Sequence, residues 1–125
     1  MKKHDSMETY LETIYILSRA GNPVRSIDIV NELEYSKPSV SVAMKNLRAG
    51  GHIAVGKSGH ITLTESGMRI AENMFERHTL ISKWLISLGV DEKIAVEDAC
   101  RMEHIMSEQS FTAIKSHVER GKLLC

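Results

Sequence analysis

The chain has 125 residues, 42% of them hydrophobic, with 16 basic and 16 acidic side chains that cancel. That length fits one compact domain or two small lobes sharing a core, and the apolar content is enough to fold without disulfides. No apolar run approaches the ~20 residues of a membrane span, Lys2-Lys3-His4 leads into no signal-peptide core, and two cysteines make no disulfide framework. A cytoplasmic chain is expected, with Cys125 on a frayed tail.

Neutrality argues at first against a nucleic-acid partner, but the charges are unevenly spread. Between Glu34 and Glu65 there is no carboxylate, while Lys37, Lys45, Arg48 and Lys57 fall in that window. From Glu65 onward acidic residues outnumber basic ones. A local basic field on a neutral chain fits a DNA-reading lobe joined to an acidic regulatory lobe; a chance gap in a solvated surface is the alternative.

Asp5-Ser6 offers a helix cap, after which Met7, Leu11, Ile14 and Leu17 recur at helical spacing up to Gly21-Asn22-Pro23. This first helix carries Glu8 and Glu12. A short second helix spans about Ser26 to Leu33, with Ile27, Val30 and Leu33 facing inward. After the tight connection Glu34-Tyr35-Ser36, a third helix starts with Ser36 as cap and Pro38 in its first turn. It buries Val40, Met44 and Leu47 and stops at Gly50-Gly51. Its outer face carries Ser39, Ser41, Lys45 and Arg48, small polar groups first and cations further on. Two short helices with a tight turn, the second small and polar outside, make a helix-turn-helix whose cations reach phosphates.

Directly after it, His52–Val55 and His60–Leu63 alternate with period two around Gly56-Lys57-Ser58-Gly59. That predicts a β-hairpin with Ile53, Val55, Ile61 and Leu63 on one face and Lys57 at the tip, placed as a wing beside the recognition helix. The fold expected is mainly α: an N-terminal winged helix-turn-helix (three helices plus the hairpin) over residues 1–64, then a helical dimerisation domain over 65–125. In that second part a long helix runs from Thr64-Glu65 to Leu88-Gly89, with Met68, Ala71, Phe75, Ile81, Leu85 and Leu88 as its buried stripe and His78 within it. A connector of that length suits a dimer surface, to which Trp84 adds. A helix from about Glu92 to Ser107 places Ala95, Ala99, Met102 and Met106 on its core face. One further helix carries Phe111, Ile114 and Val118 before a tail at Gly121.

Cys100, Glu103 and His104 are spaced i, i+3, i+4, so a helix sets a thiolate, a carboxylate and an imidazole on one face, beside its apolar stripe. These are three potential metal ligands that lack only donors from other elements. Singly, each has a duller reading. Cys100 is a small apolar filler, His78 a hydrogen-bonded core residue and Glu12 a solvated carboxylate.

Several stretches resemble the diphtheria-toxin-repressor family, which includes iron-dependent repressors and manganese transport regulators. They are Ser6–Tyr15, Ser36–Ser41, Thr62-Leu63-Thr64 with Gly67, Arg77-His78 and, above all, Glu97–Ser107. The resemblance covers nearly the whole chain. It implies a homodimer of winged-helix lobes that represses metal-uptake genes by binding double-stranded operator DNA when a divalent metal joins the first helix to the dimerisation helices. Position by position, Cys100, Glu103 and His104 match ligands of the iron branch, and Glu12 and His78 match ligands of the manganese branch. Thr9, a poor donor, stands where members carry Met or Asp, and Ser82 and Val96 stand where a second site would need a carboxylate and a histidine. One metal site per subunit is therefore expected. The short architecture is similar to the manganese branch, but a thiolate suits Fe²⁺ better than Mn²⁺, with Zn²⁺ and Co²⁺ as other candidates. Affinity should fall in acid as protons compete for Cys100 and His104. DNA contacts are expected from Ser36, Lys37, Ser39, Ser41, Lys45 and Lys57, with no small-molecule substrate and no membrane partner. Three alternatives remain open: a metal-independent winged-helix regulator with Cys100 as thiol sensor, a metalloenzyme using Glu103 as base, and a protein-interaction module with a degenerate helix-turn-helix.

Overall fold

The computed structural model describes residues 6–124, with side chains placed through residue 121. Asp5, expected to share the first cap, and the Cys125 tail lie outside the described residues. By packing, the chain divides into two compact units, Met1–Met74 and Phe75–Cys125. This division falls inside a continuous helix, whose first turns pack into the first unit's core through Ala71.

In the first unit, α1 (Met7–Arg19) is capped by Ser6, whose Oγ accepts from the Thr9 amide at 3.2 Å. Next come α2 (Ser26–Leu33) and α3 (Lys37–Ala49). Glu34, in the left-handed region at φ 59°, closes α2 and donates its amide to the Val30 carbonyl. Ser36 then caps α3 by accepting from the Ser39 amide, with Pro38 in the first turn, as its sequence predicts. Leu11, Ile14, Ile29 and Val40 are fully buried, and Tyr10, Leu33, Met44, Leu47, Ile53 and Ile61 pack in the same cluster, together with Val24, Tyr35 and Ala71. At about 1.5–3 kcal/mol for each fully buried aliphatic side chain, this cluster is the main source of the unit's stability. The phase of α2 differs from expectation. Ile29 and Leu33 face inward, Val30 is half-buried, and Ile27 is 44% exposed.

The wing is the antiparallel pair β1 (Ile53–Val55) and β2 (Ile61–Leu63), in register Ile53↔Leu63, Ala54↔Thr62, Val55↔Ile61. The expected apolar face is formed, with Ile53 and Ile61 buried and Val55 and Leu63 packed against the core. A single bridge, Val24↔Ile61, fastens the wing to the connection between α1 and α2. The start of α4 (Glu65–Ser87) lies so close to the wing that a Cβ on Gly67 would come within 2.0 Å of the His52 carbonyl oxygen.

The second unit contains the rest of α4, α5 (Glu92–Ile105) and α6 (Glu108–Leu124). Asp91 caps α5 by accepting from the amides of Lys93 and Ile94. The buried line of α4 runs through Gly67, Ala71, Met74, Arg77 and Ile81; Met68, one position off that line, is 37% exposed, and Leu88, beyond the helix end, is 64% exposed. On α5 the buried residues are Ala95, Ala99 and Glu103, so Glu103 sits on the core stripe itself and not beside it. The last helix continues through Gly121, where a tail was expected. Among the described residues no helix is long and apolar enough to cross a membrane.

Candidate metal centre and nucleic-acid face

Residues i, i+4, i+8 of α5 point into the second unit, and the third of them, Glu103, has no exposed surface at all. A carboxylate in that position needs charged or hydrogen-bonding partners. It faces His78 of α4, whose Nδ1 lies 3.2 Å from Oε2, and the Nε2 of His104 lies 3.3 Å from Oε1. Cys100, one turn earlier on α5 and half-buried, completes a set in which ligand atoms of His78, Cys100 and Glu103 all lie within 4.8 Å of one another.

This donor set fits a divalent cation. Ligand atoms about 2.0–2.3 Å from one metal are about 3.5 Å apart in a tetrahedral arrangement, so a modest contraction converts the observed cluster into a coordination sphere. The mixture of imidazole, thiolate and carboxylate suits first-row transition metals rather than Ca²⁺ or Mg²⁺. Of the expected ligands, the structure brings His78, Cys100 and Glu103 together and places the His104 side chain, 4% exposed, against the same carboxylate. Glu12 belongs to the first unit, where it is buried at 8% exposure and not a solvated helix carboxylate.

On the first unit, α3 turns Val40, Met44 and Leu47 inward, which leaves Ser39, Ser41 and Lys45 exposed along its outer side. Ser36 and Lys37 are exposed at its N-terminus, although the Ser36 hydroxyl is also engaged as cap. Lys57 is exposed in the turn of the wing, which Gly59 closes at φ 79°. One residue of this face was missed. Val42 is 58% exposed among the serines and Lys45. Its only signal in the sequence is negative, since it falls outside the 40, 44, 47 line that fills the core. Arg77, buried against α5, was also missed as a candidate site residue.

A winged helix-turn-helix followed by a helical unit that gathers nitrogen, sulfur and oxygen donors around one buried carboxylate defines a class: metal-dependent DNA-binding regulators. Comparison with known proteins gives the family. Residues 3–61 match the iron dependent repressor N-terminal DNA binding domain, and residues 64–122 match the iron dependent repressor metal binding and dimerisation domain. The chain belongs to this family of metal-dependent transcriptional regulators. It is 33% identical over 119 residues to an HTH-type transcriptional regulator of Methanocaldococcus jannaschii, covering 94% of this chain and 95% of that one. It is 35% identical over 106 residues to the iron-dependent repressor IdeR of Mycobacterium tuberculosis, covering 83% of this chain and 46% of that one. The solved structure of the manganese regulator SloR aligns with a TM-score of 0.83 at 25% identity, covering 95% of this chain and 55% of that one. The chain thus spans nearly all of the archaeal relative and about half of the other two. These relatives are named as regulators and repressors, so the metalloenzyme reading of Glu103 is dropped.

Proposed function

We propose that this protein is a metal-dependent repressor of metal-uptake genes, acting in the cytoplasm as a homodimer on double-stranded operator DNA. The observation that carries the reading is the buried Glu103 carboxylate, within reach of His78 and Cys100, in a chain whose first unit is a winged helix. His78, Cys100, Glu103 and His104 hold the ion, and Glu12 is the ligand contributed by α1. When bound, the divalent ion supplies the positive charge that the buried Glu103 carboxylate calls for. Fe²⁺ is the favoured ion because Cys100 contributes a thiolate; Mn²⁺, Zn²⁺ and Co²⁺ are the alternatives. Ser36, Lys37, Ser39, Ser41 and Lys45 face the DNA from α3, and Lys57 lies along the neighbouring backbone from the wing.

In this reading metal occupancy sets the spacing of the two recognition helices in the dimer. Operator half-sites about one helical turn apart, ~34 Å, or a multiple of that, reward the correct spacing. A coupling of ~1–3 kcal/mol raises operator affinity 5- to 150-fold. The test is duplex binding by fluorescence anisotropy with and without Fe²⁺, Mn²⁺ and Zn²⁺, repeated on Cys100→Ala and Glu12→Ala. Metal should strengthen binding of the unsubstituted chain and act weakly on both variants. Equal binding in chelator and in metal would instead favour the metal-independent regulator.

A further inference from the structure

Among the described residues Arg77 is the only Lys or Arg that is buried, at 6% exposure. Its Nη1 donates to two carbonyls at the end of α5, Glu103 at 3.1 Å and Met106 at 2.6 Å, and its guanidinium lies 5.2 Å from the centroid of the Phe111 ring on α6. The last carbonyls of a helix have no partner within it and carry its negative end, so a cation there serves both as cap and as counter-charge. The next residue of α4, His78, faces the carboxylate of the same Glu103. Two consecutive residues of one helix therefore hold Glu103 at both ends, Arg77 by its main chain and His78 by its side chain.

We propose that Arg77 is a positioning residue of the metal centre. It clamps the final turn of α5, so that the Glu103 carboxylate stays opposite His78 and Cys100. This rests on the metal reading above and deepens it. Cys100 lies one turn further into α5, held by the helix itself, whereas Glu103 lies in the turn that Arg77 secures. Loss of Arg77 should then disturb the carboxylate donor and spare the thiolate. A purely structural arginine would affect neither donor selectively.

The experiment is a Co²⁺ titration of the full chain, followed by absorption, on the unsubstituted protein, Arg77→Met and Arg77→Lys, with far-ultraviolet circular dichroism as the folding check. Arg77→Met should remain helical, bind Co²⁺ ~10–100-fold more weakly, keep the thiolate-to-cobalt charge-transfer band and shift the ligand-field bands. Arg77→Lys, which keeps a cation near the helix end, should recover part of the affinity. Unchanged affinity and unchanged ligand-field bands in both variants overturn the proposal. If Arg77→Met does not fold, Arg77→Lys decides alone: weaker binding with shifted bands supports the clamp, and an unaltered spectrum refutes it. Absence of a thiolate band in the unsubstituted protein overturns the metal reading and the clamp together. A normal band there with indifferent variants refutes the clamp alone.

Discussion

Lys45 and Val42 share the exposed side of α3, and the proposed function gives them different chemistry on DNA. A lysine meets phosphates, which every sequence presents; an exposed valine suits the methyl group of thymine in the major groove. Lys45→Ala should weaken binding to all duplexes and reduce the slope of log affinity against log salt by about one. Val42→Ala should weaken binding only where thymine lies under it, and replacing that thymine by deoxyuridine should erase the difference between the two proteins. Anisotropy titrations over a salt series check both; a uniform loss for Val42→Ala would contradict the base-edge role. At this scale the proximity of the candidate donors was legible in part. The i, i+3 spacing of Cys100 and Glu103 was enough to put them on one face, because helix geometry fixes it. That Glu103 and Arg77 are buried was not legible, since charged residues are on average found in water and only their partners across the fold reverse that.

Gly67 is where the first turns of α4 pass the wing. An added methyl there meets the His52 carbonyl, a backbone atom that cannot swing away. Gly67→Ala should therefore cost about 1–3 kcal/mol of the first unit's stability, measured by urea unfolding, and stability equal to the unsubstituted chain would mean that the wing is not packed this way. Most elements were legible because their ends are chemically marked: Ser6, Ser36 and Asp91 cap helices, Pro38 opens α3, and strict alternation on either side of Gly56–Gly59 marks the wing. The phase of α2 was not, because Ile27, Ile29, Val30 and Leu33 allow two apolar faces over eight residues, and the choice belongs to the surrounding core. The Val24↔Ile61 bridge involves a single residue pair and leaves no pattern. α6 passes through Gly121 because a helix tolerates one glycine at a cost of only about 0.5–1 kcal/mol.

At the scale of the whole molecule, one chain carries a DNA-binding unit and a metal-binding unit. Two family models, matched end to end over nearly the whole chain, state those same two roles. The central claim is that the two ligands communicate, and thermodynamic linkage makes that claim reciprocal. If metal strengthens DNA binding by some factor, DNA must strengthen metal binding by the same factor. The most direct test is the affinity of the full chain for Mn²⁺ or Fe²⁺, measured anaerobically with and without a saturating operator duplex. Metal should bind more tightly on DNA, by the same 5- to 150-fold expected for the reverse coupling. A metal affinity that is identical in the presence and absence of DNA would contradict it.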